Sequence, residues 1–219
     1  TTGAGNDTIT LTTSAWTGHA STGGSVAITT RAGDDTITLS GMDLAAQTTH
    51  QAITITPGKG ADTLSFGTAG TRNGSGATAY AKITIADGDS VAATRDKITG
   101  YETGDATNFN DILDFGTANV GTLSTSTDNG VIKSHALTTG VAVFDDAASY
   151  AAELIINSAN LDDVLGYLEA NTAAGDTVAF EYDSVGDGAN DATYFVIESG
   201  TYYVEFVTVN GCSGISFPI

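Results

Sequence analysis

A short phrase recurs along the first half of the chain: an aspartate, any residue, an aliphatic residue, any residue, and often a second apolar one. It reads Asp7-Thr8-Ile9-Thr10-Leu11, then Asp35-Thr36-Ile37-Thr38-Leu39, then Asp62-Thr63-Leu64-Ser65-Phe66. Weaker copies are Asp96-Lys97-Ile98-Thr99 and Asp111-Ile112-Leu113-Asp114-Phe115, with a late echo at Asp176-Thr177-Val178-Ala179-Phe180. Alternation with a period of two marks a short strand with one buried face. Glycines precede the strong copies, as Gly3-Ala4-Gly5-Asn6-Asp7, Gly33-Asp34-Asp35 and Gly58-Lys59-Gly60-Ala61-Asp62. The first three aspartates stand 28 and then 27 residues apart. A second apolar run, Val26-Ala27-Ile28, Ile53-Thr54-Ile55 and Ile83-Thr84-Ile85, keeps nearly the same interval. The unit is thus strand, excursion, strand, glycine turn. Two strands per unit at a near-constant period predict coils stacked in parallel. The excursions, 16–24, 42–50 and 67–78, carry or adjoin Trp16, His19, His50 and Tyr80, which serve either ordinary loop packing or a ligand face.

A tight corner between stacked strands calls for residues that accept positive φ, hence glycine. Such a corner turns carbonyls inward, and an aspartate at its exit adds a carboxylate. Repeating the corner along one edge builds oxygen-only sites, which suit the hard cation Ca²⁺. The candidate ligands are Gly3, Gly5, Asn6 and Asp7; Gly33, Asp34 and Asp35; Gly58, Gly60 and Asp62; and Asp87, Asp89 and Asp96 farther on.

The phrases resemble the nonapeptide Gly-Gly-x-Gly-x-Asp-x-aliphatic-x of the RTX family, the hemolysin-type calcium-binding proteins. Gly3-Ala4-Gly5-Asn6-Asp7-Thr8-Ile9 is the nearest copy; Ala4 stands where the paired glycine would be, and Ala32 where an inner glycine would help. The family's nine-residue tandem spacing is replaced by roughly 27, the length of three such units. The segment Lys97-Ile98-Thr99-Gly100-Tyr101-Glu102-Thr103-Gly104-Asp105 is similar to one that follows the repeats in many family members. It adds Asp105, Asn110 and Asp111 as ligands or, equally, as turn formers. The resemblance implies several Ca²⁺ ions, a right-handed parallel β-roll or β-helix over 1–116, and export by a type I secretion machinery.

The second half, 117–219, reads as a capping and export region. Asp145-Asp146 predicts a helix over about 146–157, and Asn160, with Asp162 and Asp163 in the first turn, predicts another over 160–171. Leu161, Val164, Leu165 and Leu168 make one apolar face. This short helical pair is expected to cover the end of the stack, where strand edges would otherwise stay unpaired. Strands return over 177–182, 192–198 and 202–209, the last two as a hairpin. The loop 183–191, with Asp183, Asp187 and Asp191, reads either as an irregular calcium loop or as a solvated turn.

Charge narrows the function. The formal net charge is −19, from 26 acidic and 7 basic residues, and beyond Lys133 there is no Lys or Arg. Such a surface repels nucleic acid and anionic lipid and attracts cations. The acids must be solvated, protonated or metal-bound. No run approaches the length of a membrane helix. The chain opens without Met, a basic region or an apolar region, and so reads as a mature fragment or an excised domain. Lone Cys212 has no evident base partner, and His19, His50 and His135 lack zinc spacing. The expectation is therefore a structural, non-enzymatic component of a secreted or bacterial cell-surface protein. A surface-layer lattice built from copies of the chain fits first. An adhesin domain, with cell-surface polysaccharide as partner, and a β-helical polysaccharide-active enzyme are the alternatives.

Overall fold

The computed structural model describes residues 1–12, 25–40, 51–66, 79–86, 88–91, 93–101, 112–114, 119–125, 127–138, 140–173, 176–183, 185–189, 192–197 and 202–208. The three excursions lie outside these, as do Asp87, Asp105, Asn110, Asp111, Asp191 and Cys212.

The chain is mostly β, with parallel sheets and one helix among the described residues. Among the described residues of its first half there are eight strands: β1 (Thr8–Thr12), β2 (Ser25–Ala32), β3 (Thr36–Ser40), β4 (Gln51–Lys59), β5 (Thr63–Ser65), β6 (Ala79–Thr84), β7 (Asp96–Tyr101) and β8 (Ile112–Asp114). They alternate between two sheets. β1, β3, β5 and β7 pair in parallel, in that order, and so do β2, β4, β6 and β8. Each motif strand therefore lies beside the motif strand one unit on: Ile9 opposite Ile37, Ile37 opposite Leu64, Leu64 opposite Ile98. In the other sheet Ile28, Ile55, Ile83 and Leu113 form the matching column. Both columns belong to one core, in which Ile37, Ile55, Leu64, Ile83 and Ile98 are completely buried. Each such side chain contributes about 1.5–3 kcal/mol over exposure. The phrase at 111–115 departs from expectation. Its strand β8 pairs with β6 and continues the second apolar run instead of the motif column.

The second half extends the motif sheet. It adds β9 (Asn119–Val120), β10 (Ser134–Thr138), β11 (Val141–Asp145), the helix α1 (Leu161–Asn171), β12 (Asp176–Tyr182), β13 (Ala192–Ile197) and β14 (Tyr202–Thr208). β13 and β14 pair antiparallel, as expected, and β14 then pairs in parallel with β7, so one sheet runs on from the motif strands to β10. β12 is buried on both faces. Ala179 packs into the first core, while Val178, Phe180 and Tyr182 enter a second one with Phe144, Tyr167 and the apolar face of α1.

Only the second member of the expected helical pair forms. Residues 146–157 are irregular because the Asp145 carboxylate accepts N–H bonds from Ala147, Ala151 and Ala152 at 2.6–3.0 Å, folding the segment back on itself. Asn160 does stand at the N-cap of α1, but its side chain does not bond the first turn. It faces backward instead, accepting from Asn157 N–H and donating to the Ile155 carbonyl.

Candidate metal centre

The glycine corners are piled in register. The φ angles of Gly5, Gly33 and Gly60 are 113°, 132° and 142°, in the region where side chains are strained. A Cβ on Gly33 would collide with the Gly5 backbone, and one on Gly60 with the Gly33 backbone, so each coil sits on its neighbour at a separation only glycine permits. Arg31, not Ala32, occupies the preceding left-handed position, with φ 85°, directly beside Gly58. Thr30, also at the corner, is completely buried and donates through Oγ1 to the Pro57 carbonyl at 2.6 Å.

At the exit of each corner the motif aspartates form a row. The N–H of Asp7 donates to Oδ1 of Asp35 at 2.7 Å, that of Asp35 to Oδ1 of Asp62 at 2.7 Å, and that of Asp62 to Oδ1 of Asp96 at 3.0 Å. The carbonyls of Asp7, Asp35 and Asp62 accept the N–H of Thr36, Thr63 and Lys97 on the next coil. The row ends at Ser90, whose Oγ accepts the N–H of Asp96 at 2.8 Å. A second, outer series runs the opposite way: Asp34 N–H donates to Asn6 Oδ1, and Ala61 N–H to Asp34 Oδ1, each at 3.0 Å.

One oxygen of each carboxylate is left over. Oδ2 of Asp7, Asp35, Asp62 and Asp96 is buried with no hydrogen-bond partner, and the last three residues are 1%, 1% and 0% exposed. Burial pushes the Asp62 carboxyl up to about 6, against the lowering N–H of Asp35, and the Asp35, Asp34 and Asp89 carboxylates push it further. For Asp96 burial dominates again, and with Asp62 and Asp89 beside it the carboxyl rises to about 8. A buried, unpartnered carboxylate oxygen is costly unless a proton or a cation meets it. The donor set fits a hard, oxygen-seeking cation. Among the described residues no three His, Cys, Asp or Glu side chains gather closely enough to hold a metal by themselves, so backbone carbonyls of the corners would have to complete each shell.

Of the other candidates, the corner glycines and Asp89 border this row, and the rest lie away from it. Gly5, Gly33, Gly58 and Gly60 lie in the corners with positive φ, Gly3 precedes the Ala4–Ala32 bridge, and Asn6 and Asp34 belong to the outer series. Asp89 accepts the N–H of Ala86 through Oδ2 and, through its carbonyl, that of Gly60. Asp183 is far along the chain and occupied by its own turn. Burial raises its carboxyl, but the N–H groups of Gly188, Gly186, Asp187 and Val185 outweigh that and hold it below its ordinary value. Asp187 accepts the N–H of Ala189. Asp176, the late echo, accepts from Thr122 N–H and Oγ1. Sequence reasoning missed Ser90 and Thr30. A count of 28 residues from Asp62 lands on Ser90, with Asp96 set back by the turn between them. No helix among the described residues is long and apolar enough to cross a membrane. The sequence matches no protein-family model, and neither curated proteins nor solved structures offer a match to it.

Proposed function

We propose that the chain is a calcium-dependent structural segment of a secreted or bacterial cell-surface protein, built as a right-handed β-roll and working in a surface-layer lattice of its own copies. It performs no catalysis in this reading, and it leaves the cell through a type I machinery. The observation that carries the reading is the row of buried Oδ2 atoms on Asp7, Asp35, Asp62 and Asp96, one per coil and none with a partner. Ca²⁺ ions between coils would take these oxygens together with corner carbonyls, and would offset the mutual repulsion of the acids. Binding free energy then becomes folding free energy. A chain carrying −19 charges stays expanded where calcium is scarce and closes its coils where calcium is abundant.

The test is circular dichroism and thermal melting during EDTA and Ca²⁺ titration, with negative-stain microscopy of the same samples. At Ca²⁺ about 100-fold above Kd, each site adds roughly 2.7 kcal/mol, so several sites raise the melting temperature by more than about 10 °C. The midpoint is expected in the micromolar to millimolar range. Identical melts with and without Ca²⁺ would remove the metal. A calcium-dependent melt with no ordered sheets would retain the metal and remove the lattice.

A further inference from the structure

The turn 129–132 is locked onto α1 by two close approaches. Asn129 and Ile132 exchange backbone hydrogen bonds at 3.1 and 2.9 Å, which closes a short loop through Gly130 and Val131. Gly130 has φ 52°, a value that suits glycine at the first position of such a loop. The Val131 N–H donates to Asp163 Oδ2, and Asn129 Nδ2 donates to the Asp163 carbonyl, each at 2.9 Å. A Cβ on Gly130 would collide with the Asp163 carboxylate, and one on Gly166 would collide with the Asn129 carboxamide. Gly166 lies in the interior of α1, where glycine is a poor helix former. The carboxamide it admits accounts for its presence there. The turn itself is at the surface. Gly130 is exposed, and its N–H has no hydrogen-bond partner among the described residues.

We propose that Asn129 is a spontaneous deamidation site that α1 holds in check, and that the reaction releases the turn from the helix for good. Glycine follows Asn129, and without a side chain it leaves its nitrogen open to approach the neighbouring carboxamide. Water reaches the exposed Gly130 amide and takes its proton. The Gly130 nitrogen then bonds to Asn129 Cγ, the Cγ–Nδ2 bond breaks, and Nδ2 leaves as ammonia with a proton returned from solvent. A water molecule opens the cyclic imide and gives aspartate or isoaspartate at 129. Reaching that ring requires rotation of the backbone at 129. The paired bonds to Ile132 and the Nδ2 bond to the Asp163 carbonyl oppose it. The product cannot regain its seat. It sets an oxygen against the Asp163 carbonyl where a donor stood, and it adds a charge between Asp128 and the Asp163 carboxylate. Isoaspartate also lengthens the backbone of a loop that is closed on both sides.

The experiment ages the full chain at mildly alkaline pH, folded with Ca²⁺ present and, in parallel, unfolded in guanidinium chloride. Peptide mapping by mass spectrometry follows Asn129-Gly130 separately from Asn73-Gly74 and Asn210-Gly211. Asn129 is expected to react on the order of tenfold more slowly in the folded chain, because only the locally opened turn can form the ring. Gly166→Ala pushes the carboxamide out of its seat while favouring the helix, and should return most of that difference. Asp163→Ala, which removes the Val131 anchor, serves the same purpose should the added methyl unfold the chain. Asn129→Asp, one of the two products, should lower the melting temperature by about 3 °C and speed hydrogen exchange at Val131. Equal rates in the folded and unfolded chain would overturn the lock, as would folded variants that react no faster than the parent. Unchanged melting and exchange in Asn129→Asp would overturn the release.

Discussion

Two sets of buried aspartates divide the molecule. Asp35, Asp62 and Asp96 in the coil stack are 1%, 1% and 0% exposed; Asp145 and Asp183 in the second half are 4% and 3% exposed. Surface exposure is nearly the same, yet Asp62 and Asp96 lie deeper, and their protonation goes one way while that of Asp145 and Asp183 goes the other. Asp145 is held down to about 2 by N–H bonds from Ala152, Ala151 and Ala147, and Asp183 is likewise lowered by its own turn. Asp62 and Asp96 are raised to about 6 and about 8. The difference lies first in depth, since burial dominates at Asp62 and Asp96 while Asp145 and Asp183 lie near the surface, and then in how many donors reach each carboxylate. An irregular loop can bend several N–H groups onto one side chain. A strand in a parallel stack gives each aspartate one N–H from the preceding coil, because the remaining N–H groups are committed to the sheet. The second half therefore stabilises its buried acids with its own backbone, while the stack needs something else.

The comparison breaks most visibly with pH. Asp62 and Asp96 keep their protons to about 6 and about 8 when folded and lose them near 3.8 when unfolded. Between these values the folded chain binds more protons, so the metal-free protein loses stability as pH rises from about 4 to about 8. Asp145 acts in reverse, since its contribution is present above 3.8 and is lost as pH falls toward 2. Melting in EDTA should therefore decline by on the order of 10 °C between pH 5 and pH 9, and fall again at strongly acid pH. Calcium should flatten the alkaline decline and, at pH 7, release about one proton per chain, largely from Asp96. A flat metal-free profile from pH 5 to 9 would mean that the row is hydrated and does not differ from the second set.

Substitution sharpens the contrast by giving effects of opposite sign. In EDTA at pH 9, Asp96→Asn keeps an acceptor for the Asp62 N–H and removes a charge that burial opposes. We expect the melting temperature to rise by about 3 °C and the response to Ca²⁺ to shrink. Asp145→Asn weakens three bonds from the loop 147–152 and should lower the melting temperature by roughly 5 °C whether calcium is present or not. If both variants destabilised equally in EDTA, the distinction between the two sets would be lost.

The stack was far more legible in the sequence than the second half, for a physical reason. Coil stacking repeats one contact, so Asp7, Asp35 and Asp62 announce themselves at nearly equal intervals, and the columns through Ile9 and Ile28 follow from the same spacing. What escaped the reading was non-periodic. Ser90, which ends the row by accepting the Asp96 N–H, belongs to no copy of the phrase, although Asp96 itself reads as a weaker copy and a candidate ligand. The return of β14 to β7 joins segments about a hundred residues apart, with no local signature. At Asp145 the sequence is ambiguous in principle. An aspartate before alanines is both a helix N-cap and a loop anchor, since each role offers a carboxylate to backbone N–H groups. The alanines favour helix by propensity, and tertiary context chose the loop.

A last, smaller effect separates the part of the stacking that needs no cation. Thr30 is completely buried, stands outside the aspartate row, and ties its coil to the next through the Pro57 carbonyl. Pro57 has no N–H of its own, so this corner contact runs in one direction only. Thr30→Val conserves shape and removes the hydroxyl, leaving a buried carbonyl one donor short, at a cost of about 1–2 kcal/mol. That corresponds to a fall of roughly 2–6 °C in melting temperature. Because the hydroxyl touches no carboxylate of the row, the fall should be the same in EDTA and in saturating Ca²⁺, with the calcium midpoint unmoved. A loss confined to the metal-free state would instead mean that the ions, once bound, take over the work of the corner bonds, and that the metal governs the packing of whole coils as well as the aspartates it touches.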